Sequence, residues 1–259
     1  MCLIVFANNY HPDYQLILGA NRDEFRNRPT EPARFWSDVP HILAGRDKQA
    51  GGTWLGVTTS GKLAAITNYR DPRQQAANLP SRGKLVSNYL QDSSETPLAY
   101  QATLHRNGQQ YDGFNILYGT VDNLFYFTNR GGSSGPITPG IHGLSNHLLD
   151  TSWAKVTTAK SRLEVIAQHS SIDPEEILSA LSDPAPFEDN LLPDTGVGID
   201  RERMLSTLFI KNEIYGTRSS TVILVGWNGQ VTFTERVFDS SSKISSTQRF
   251  DFQIQPTNR

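Results

Sequence analysis

Cys2 is the residue in this chain with the most chemistry open to it. A small side chain at position 2 allows the initiator methionine to be removed, leaving a terminal residue with both a thiol and a free α-amine. That amine, with an ordinary pKa of about 8, can take the thiol proton directly or through a water, so the residue contains its own base. A retained methionine would block it. The plainer reading of Cys2 is a small apolar residue opening a buried strand. Arg22 and Asp23 close a second apolar run, and antiparallel pairing with the Cys2 run sets them beside its start. There an aspartate can hold an α-ammonium and an arginine can favour thiolate. Without Cys2, the row Asn21, Arg22, Asp23, Glu24 reads as a solvated turn.

The elements that must position these residues begin as strands. Leu3 to Ala7 and Tyr14 to Ala20 are short apolar runs separated by His11, Pro12 and Asp13, which suggests a hairpin. Trp54 to Thr59 and Leu63 to Asn68 flank Ser60 and Gly61 in the same way. Helices follow: one after Pro80 capped by Ser81, and one from near Pro97 to Gly108. A strand pair comes next, Phe114 to Tyr118 and Leu124 to Thr128, and then a loop over Gly131 to Pro136. Trp153, Val156, Leu163 and Ile166 recur at helical spacing, Asp173 to Glu176 opens another helix, and Asp200 caps a short one. The Asn228-Gly229 turn between Thr221 to Trp227 and Gln230 to Val237 is the strongest hairpin signal, and the segment from about 239 is polar. Strands, helices, strands, helices and strands do not alternate as βαβ units do. Antiparallel sheets covered by helices fit better, in one domain over residues 1–259.

Composition bounds the function. Lys and Arg number 24 against 26 Asp and Glu, a balance without the basic excess of a nucleic-acid or membrane-surface protein. At 37% hydrophobic residues the chain can build a core. One cysteine rules out a disulfide framework and multi-cysteine zinc or iron–sulfur sites, so no metal cofactor is expected. Gly51-Gly52-Thr53-Trp54 lacks the Gly-Lys-Ser/Thr of a nucleotide loop; it reads as a tight turn that can let Trp54 pack near a site. No apolar stretch approaches the roughly 18 residues of a membrane helix, and no targeting segment is visible, which points to the cytoplasm.

Several blocks together carry a resemblance. Met1-Cys2, Asn21-Arg22-Asp23-Glu24, Ala44-Gly45-Arg46-Asp47, Gly51-Gly52-Thr53-Trp54-Leu55-Gly56, Thr67-Asn68-Tyr69-Arg70, Ser81-Arg82-Gly83, Leu144-Ser145-Asn146 and Tyr215-Gly216-Thr217-Arg218-Ser219 resemble the NRDE family, that of Transport and Golgi organisation 2. The resemblance implies a four-layer αββα sandwich of the N-terminal-nucleophile hydrolase type, similar to bile-salt hydrolases and penicillin V acylases. It also implies that Cys2, Arg22, Asp23, Asn68, Asn146 and Arg218 line a catalytic site. An amide N–H of Asn68 or Asn146 suits a developing oxyanion, although either residue can equally cap a turn.

The same resemblance implies haem trafficking in the cytoplasm, with haem as cargo passed between donor and acceptor proteins. This stands as the leading reading, and a Cys2-dependent amidohydrolase as the alternative. Arginines outnumber lysines, and guanidinium groups suit haem carboxylates, but no haem-attachment motif is present and no axial ligand can be assigned. Asn21, Arg22, Asp23, Glu24, His142 and His147 are the candidates for such binding. The spacing of the two histidines is not that of a helical metal pair.

Overall fold

The computed structural model describes residues 2–72 and 79–255. Elements are numbered along the chain. One six-stranded antiparallel sheet runs in the order β10 (Gly140–Leu144), β1 (Cys2–Asn8), β2 (Tyr14–Phe25), β11 (Tyr215–Gly226), β12 (Gln230–Phe238), β13 (Ile244–Gln253). The second has seven strands in sequence order: β3 (Thr30–Phe35), β4 (Ile42–Asp47), β5 (Leu55–Thr58), β6 (Lys62–Asn68), β7 (Phe114–Thr120), β8 (Asn123–Thr128), β9 (Gly135–Pro136). The helices are α1 (Gly83–Gln91), α2 (Pro97–Asn107), α3 (Ala154–Ile166), α4 (Pro174–Ala180) and α5 (Ile199–Ser206).

Two-residue periodicity sorts side chains between layers. In β1, Ile4 and Phe6 enter a core shared with Leu16 and Leu18 of β2 and with Leu63 and Ala65 of the other sheet. Leu3, Val5 and Ile17 face the opposite way, onto Val156 and Leu163 of α3 and Ile177 of α4. On the far side, Ala64 and Ile66 of β6 pack against Leu85, Val86 and Tyr89 of α1 and Tyr100 and Leu104 of α2. Three apolar layers therefore separate four layers of structure, the αββα sandwich. Each fully buried leucine contributes on the order of 2 kcal/mol from area removed from water. Gly19 lets α4 approach β2: a Cβ there would lie 2.5 Å from Ile177 Cγ2.

Several expectations change in detail. Asn21 to Glu24 are not a turn, because β2 continues through them to Phe25, paired with both β1 and β11. The polar segment beyond 239 forms β13; its alternate residues Phe250 and Phe252 meet Phe35, which binary patterning explains once the partner sheet is in place. Strands β3, β4, β9 and β10 do not follow from the sequence pattern, since β3 is mostly polar, β10 is short, and the two residues of β9 close the stretch expected to be loop by pairing with β8. Ser81 and Asp200 do not cap α1 and α5: the cap positions are Arg82 and Gly198, neither with a side-chain cap bond. Thr96 and Asp173 do cap α2 and α4, each accepting a backbone N–H. Among the described residues no helix is long and apolar enough to cross a membrane.

Candidate active site around Cys2

A cleft of about 550 Å³ opens at one end of the space between the sheets. Cys2 reaches it because the even-numbered residues of β1 face that space, and antiparallel register places Arg22 directly across from Cys2. Cys2, Arg22, Asp23, Asn68 and Arg218 all line this cleft, with Trp54 and Arg82. Trp54 thus sits where the sequence suggested. The Gly51-Gly52 turn brings it there by close backbone approach: a Cβ on Gly52 would lie 2.6 Å from the Gly83 carbonyl at the start of α1.

Cys2 is 8% exposed. Burial pushes its thiol up, and the Asp23 charge adds to this, while the Asp23 backbone N–H donated to sulfur and the Arg22 charge work against it. Asp23 is buried; its carboxylate accepts from Thr217 Oγ1 at 2.7 Å, and its carbonyl accepts from Tyr215 Oη at 2.9 Å. Burial raises the Asp23 pKa, opposed chiefly by the charge of Lys155. Lys155, on α3, is itself buried, donates to the Leu205 carbonyl at 2.9 Å and is lowered by burial to about 8.

A clasp behind the cleft joins the strand of Cys2 to that of Asn68. Ser145 Oγ donates to the Cys2 carbonyl at 3.0 Å, and Asn146 Nδ2 donates to the Asn68 carbonyl at 3.0 Å. Thr67 Oγ1 holds the Ser145 carbonyl at 2.5 Å, and the Arg70 backbone N–H holds that of Asn146 at 2.7 Å. Behind this, the buried pair Arg70–Glu202 closes at 2.6 Å, with the guanidinium over Trp153. Arg70, Lys155 and Glu202 escaped sequence reasoning. Only the placement of Arg70 beside Asn68 in one block hinted at a role.

The remaining candidates divide. Asn68 lines the cleft, and its side-chain amide has no hydrogen-bond partner among the described residues. Asn146 is fully buried with its N–H group engaged, so it positions Asn68 rather than facing the cleft. Arg218 sits at a bulge between Thr217 and Ser219, where its Nη1 donates to the carbonyls of Phe25, Arg26 and Arg28 and fixes the turn after β2. Glu24 lines the cleft 3.8 Å from both Arg22 and Arg28. Asn21 points into the helix layer, donating to the carbonyls of Leu181 and Leu208. His142 is held by Asp150 and the Thr138 carbonyl on the edge strand β10, and His147 by Thr151 between Tyr69 and Trp153; neither lines the cleft. No group of three or more His, Cys, Asp or Glu that could hold a metal occurs among the described residues.

The two facing antiparallel sheets, the outer helices and a cysteine at the start of the strand beneath the cleft give the N-terminal-nucleophile hydrolase type of fold. A solved N-acylethanolamine-hydrolyzing acid amidase ortholog from Caenorhabditis elegans shares it, with a TM-score of 0.50 and 11% identity over 86% of this chain and 92% of that one. The family model for Transport and Golgi organisation 2 matches residues 1–240, and the chain belongs to this family. A Mus musculus Transport and Golgi organization 2 homolog is 38% identical, covering 98% of this chain and all of that protein. The Drosophila melanogaster Transport and Golgi organization protein 2 is 28% identical over 91% of each.

Proposed function

We propose that the chain is a hydrolase or acyl-transfer enzyme acting on a carbon–nitrogen amide bond, with Cys2 as nucleophile after Met1 is removed. The observation that carries this is the Cys2 sulfur in the cleft, receiving the backbone N–H of Asp23 and lying across from Arg22. The thiol proton passes to the Cys2 α-amine, and the thiolate bonds to the amide carbonyl carbon. Asn68 donates an N–H to the oxyanion that develops. The α-ammonium then protonates the leaving nitrogen as the C–N bond breaks, giving a thioester and a free amine. Water, deprotonated by the α-amine, cleaves the thioester, releases the acid and restores the thiol. Asp23 keeps the ammonium oriented through both halves.

The test is a panel of acyl p-nitroanilides offered to protein whose intact mass shows Met1 removed. Turnover together with an acyl adduct on Cys2 is expected, and both should vanish in Cys2→Ala and in protein that retains Met1. Turnover unchanged in Cys2→Ala overturns the proposal.

The second reading, haem as cargo handed between partner proteins in the cytoplasm, is favoured by the arginines of the cleft, since guanidinium groups match propionates. Three of those arginines are already engaged within the protein: Arg28 by Asp47, Arg46 by Asp38 and Arg218 by three carbonyls. Of the described lining residues, Cys2 alone is of a type that ligates haem iron. Haem titration decides: a saturable Soret band of one haem per chain, lost in Cys2→Ala, supports cargo binding. Binding without stoichiometry counts against it.

A further inference from the structure

The arginines of the cleft are not equivalent, and the difference defines what the cleft can recognise. Arg28, Arg46 and Arg218 spend their N–H groups on partners within the protein. Arg22 and Arg82 leave most of theirs unspent. Arg22, its side chain 11% exposed, lies 3.8 Å from Glu24, beyond hydrogen-bond distance, and its charge also acts on the buried carboxylate of Glu235 in the cleft wall. Arg82 donates one Nη1 bond, to the Gly113 carbonyl at 2.9 Å, and lies 3.6 Å from Asp112. The Nη2 and Nε groups of Arg82 and the whole Arg22 guanidinium have no hydrogen-bond acceptor among the described residues. A mostly buried guanidinium with unused donors is costly unless something supplies acceptors, and the fork geometry fits a carboxylate best.

Position narrows the ligand further. Arg22 is the cross-strand neighbour of Cys2, and Arg82 comes from the opposite wall, at the start of α1. Cross-strand neighbours carry their side chains on one face, and the charges of Arg22 and Arg82 both couple to the Cys2 sulfur, so an anion held by them lies within a few bonds of whatever carbon that sulfur attacks. Resting on the hydrolase reading above, we propose that the substrate is an amide carrying a carboxylate within a few bonds of the scissile carbonyl, and that Arg22 and Arg82 bind this carboxylate. Such binding also fixes the carbonyl against the thiol and Asn68, which raises the rate of attack by limiting the geometries to be searched.

Two matched probe pairs test the proposal with Met1-free protein. Succinyl-p-nitroanilide against butyryl-p-nitroanilide places the carboxylate on the acyl side; hippurate against hippuramide places it on the leaving side. The carboxylated member of at least one pair should show a tenfold or greater advantage in kcat/KM. Arg82→Gln should cut that ratio at least tenfold, and Arg82→Lys should restore only part of it. Equal kcat/KM within both pairs overturns the inference and leaves the hydrolase reading intact. If no probe is turned over, the hydrolase reading fails, and calorimetry with Cys2→Ala still judges the binding claim: carboxylated probes should bind at least tenfold tighter than neutral ones at low salt. Equal or absent binding overturns it.

Discussion

The two halves of β2 follow one alternation to opposite ends. From Leu16 to Ala20, even residues fill the space between the sheets and odd residues face α3 and α4, and every choice is apolar or glycine. From Asn21 onward the parity continues with polar residues. Asn21 enters the helix layer and ties down two helix-layer carbonyls, while Arg22 enters the space between the sheets and meets a cleft. A strand that is all core at one end becomes, at the other, a device whose adjacent residues hold the helices on one side and face the candidate chemistry on the other.

Asn21→Leu should produce the largest effect. It removes three buried hydrogen bonds, to Leu181, Leu208 and Ser220. The orphaned groups cost about 4 kcal/mol in chemical denaturation. A loss below about 1 kcal/mol would mean that the helix layer is held by apolar packing alone.

Lys155→Met comes next, read against pH. The Lys155 pKa is about 8 in the fold against 10.5 for the free side chain, so between these pH values the unfolded chain binds more protons and stability rises with pH. The wild type should gain about 3 kcal/mol more than the variant between pH 7.5 and 10.5. Taking the difference cancels the buried tyrosines, whose raised pKa values act in the opposite sense at the top of that window. Parallel stability curves would show that the Lys155 ammonium is not the group titrating there.

Arg22→Gln is the smallest change in stability and the sharpest contrast with its neighbour. Its loose ion pair with Glu24 contributes less than about 1 kcal/mol. Because the Arg22 charge favours the Cys2 thiolate, alkylation of Cys2 by iodoacetamide at pH 7 should nonetheless slow severalfold. A large stability loss with unchanged alkylation would erase the distinction between the two faces of this strand.

Much of the fold is legible in the sequence because it depends on local alternation. The apolar runs of β1, β2, β5, β6, β7, β8, β11 and β12 are sequence features, and the strand–helix order argues against a doubly wound parallel sheet. The polar end of β2 misleads because its partners are remote: Asn21 is satisfied by carbonyls 160 and 187 residues away. Cys2, Arg22 and Asp23 could be assembled by pairing two neighbouring runs. The clasp could not, since Ser145 and Cys2 are 143 positions apart and Arg70 and Glu202 are 132 apart. Likewise β13 reads as a polar tail until Phe35 supplies the surface that its alternate aromatics cover.

The hydrogen bond from Ser145 to the Cys2 carbonyl has a consequence for a protein that has lost its first residue. Chain ends ordinarily fray, and a catalytic group carried on a fraying end would spend most of its time out of position. Here residue 2 is pinned by its pairing with Arg22 and by Ser145, neither of which involves Met1. Cutting the chain immediately before Cys2 therefore creates a new terminus already locked in the sheet. In the mechanism proposed above, the α-amine is thereby released at a fixed coordinate, and the entropy of placing it is met in advance by the fold.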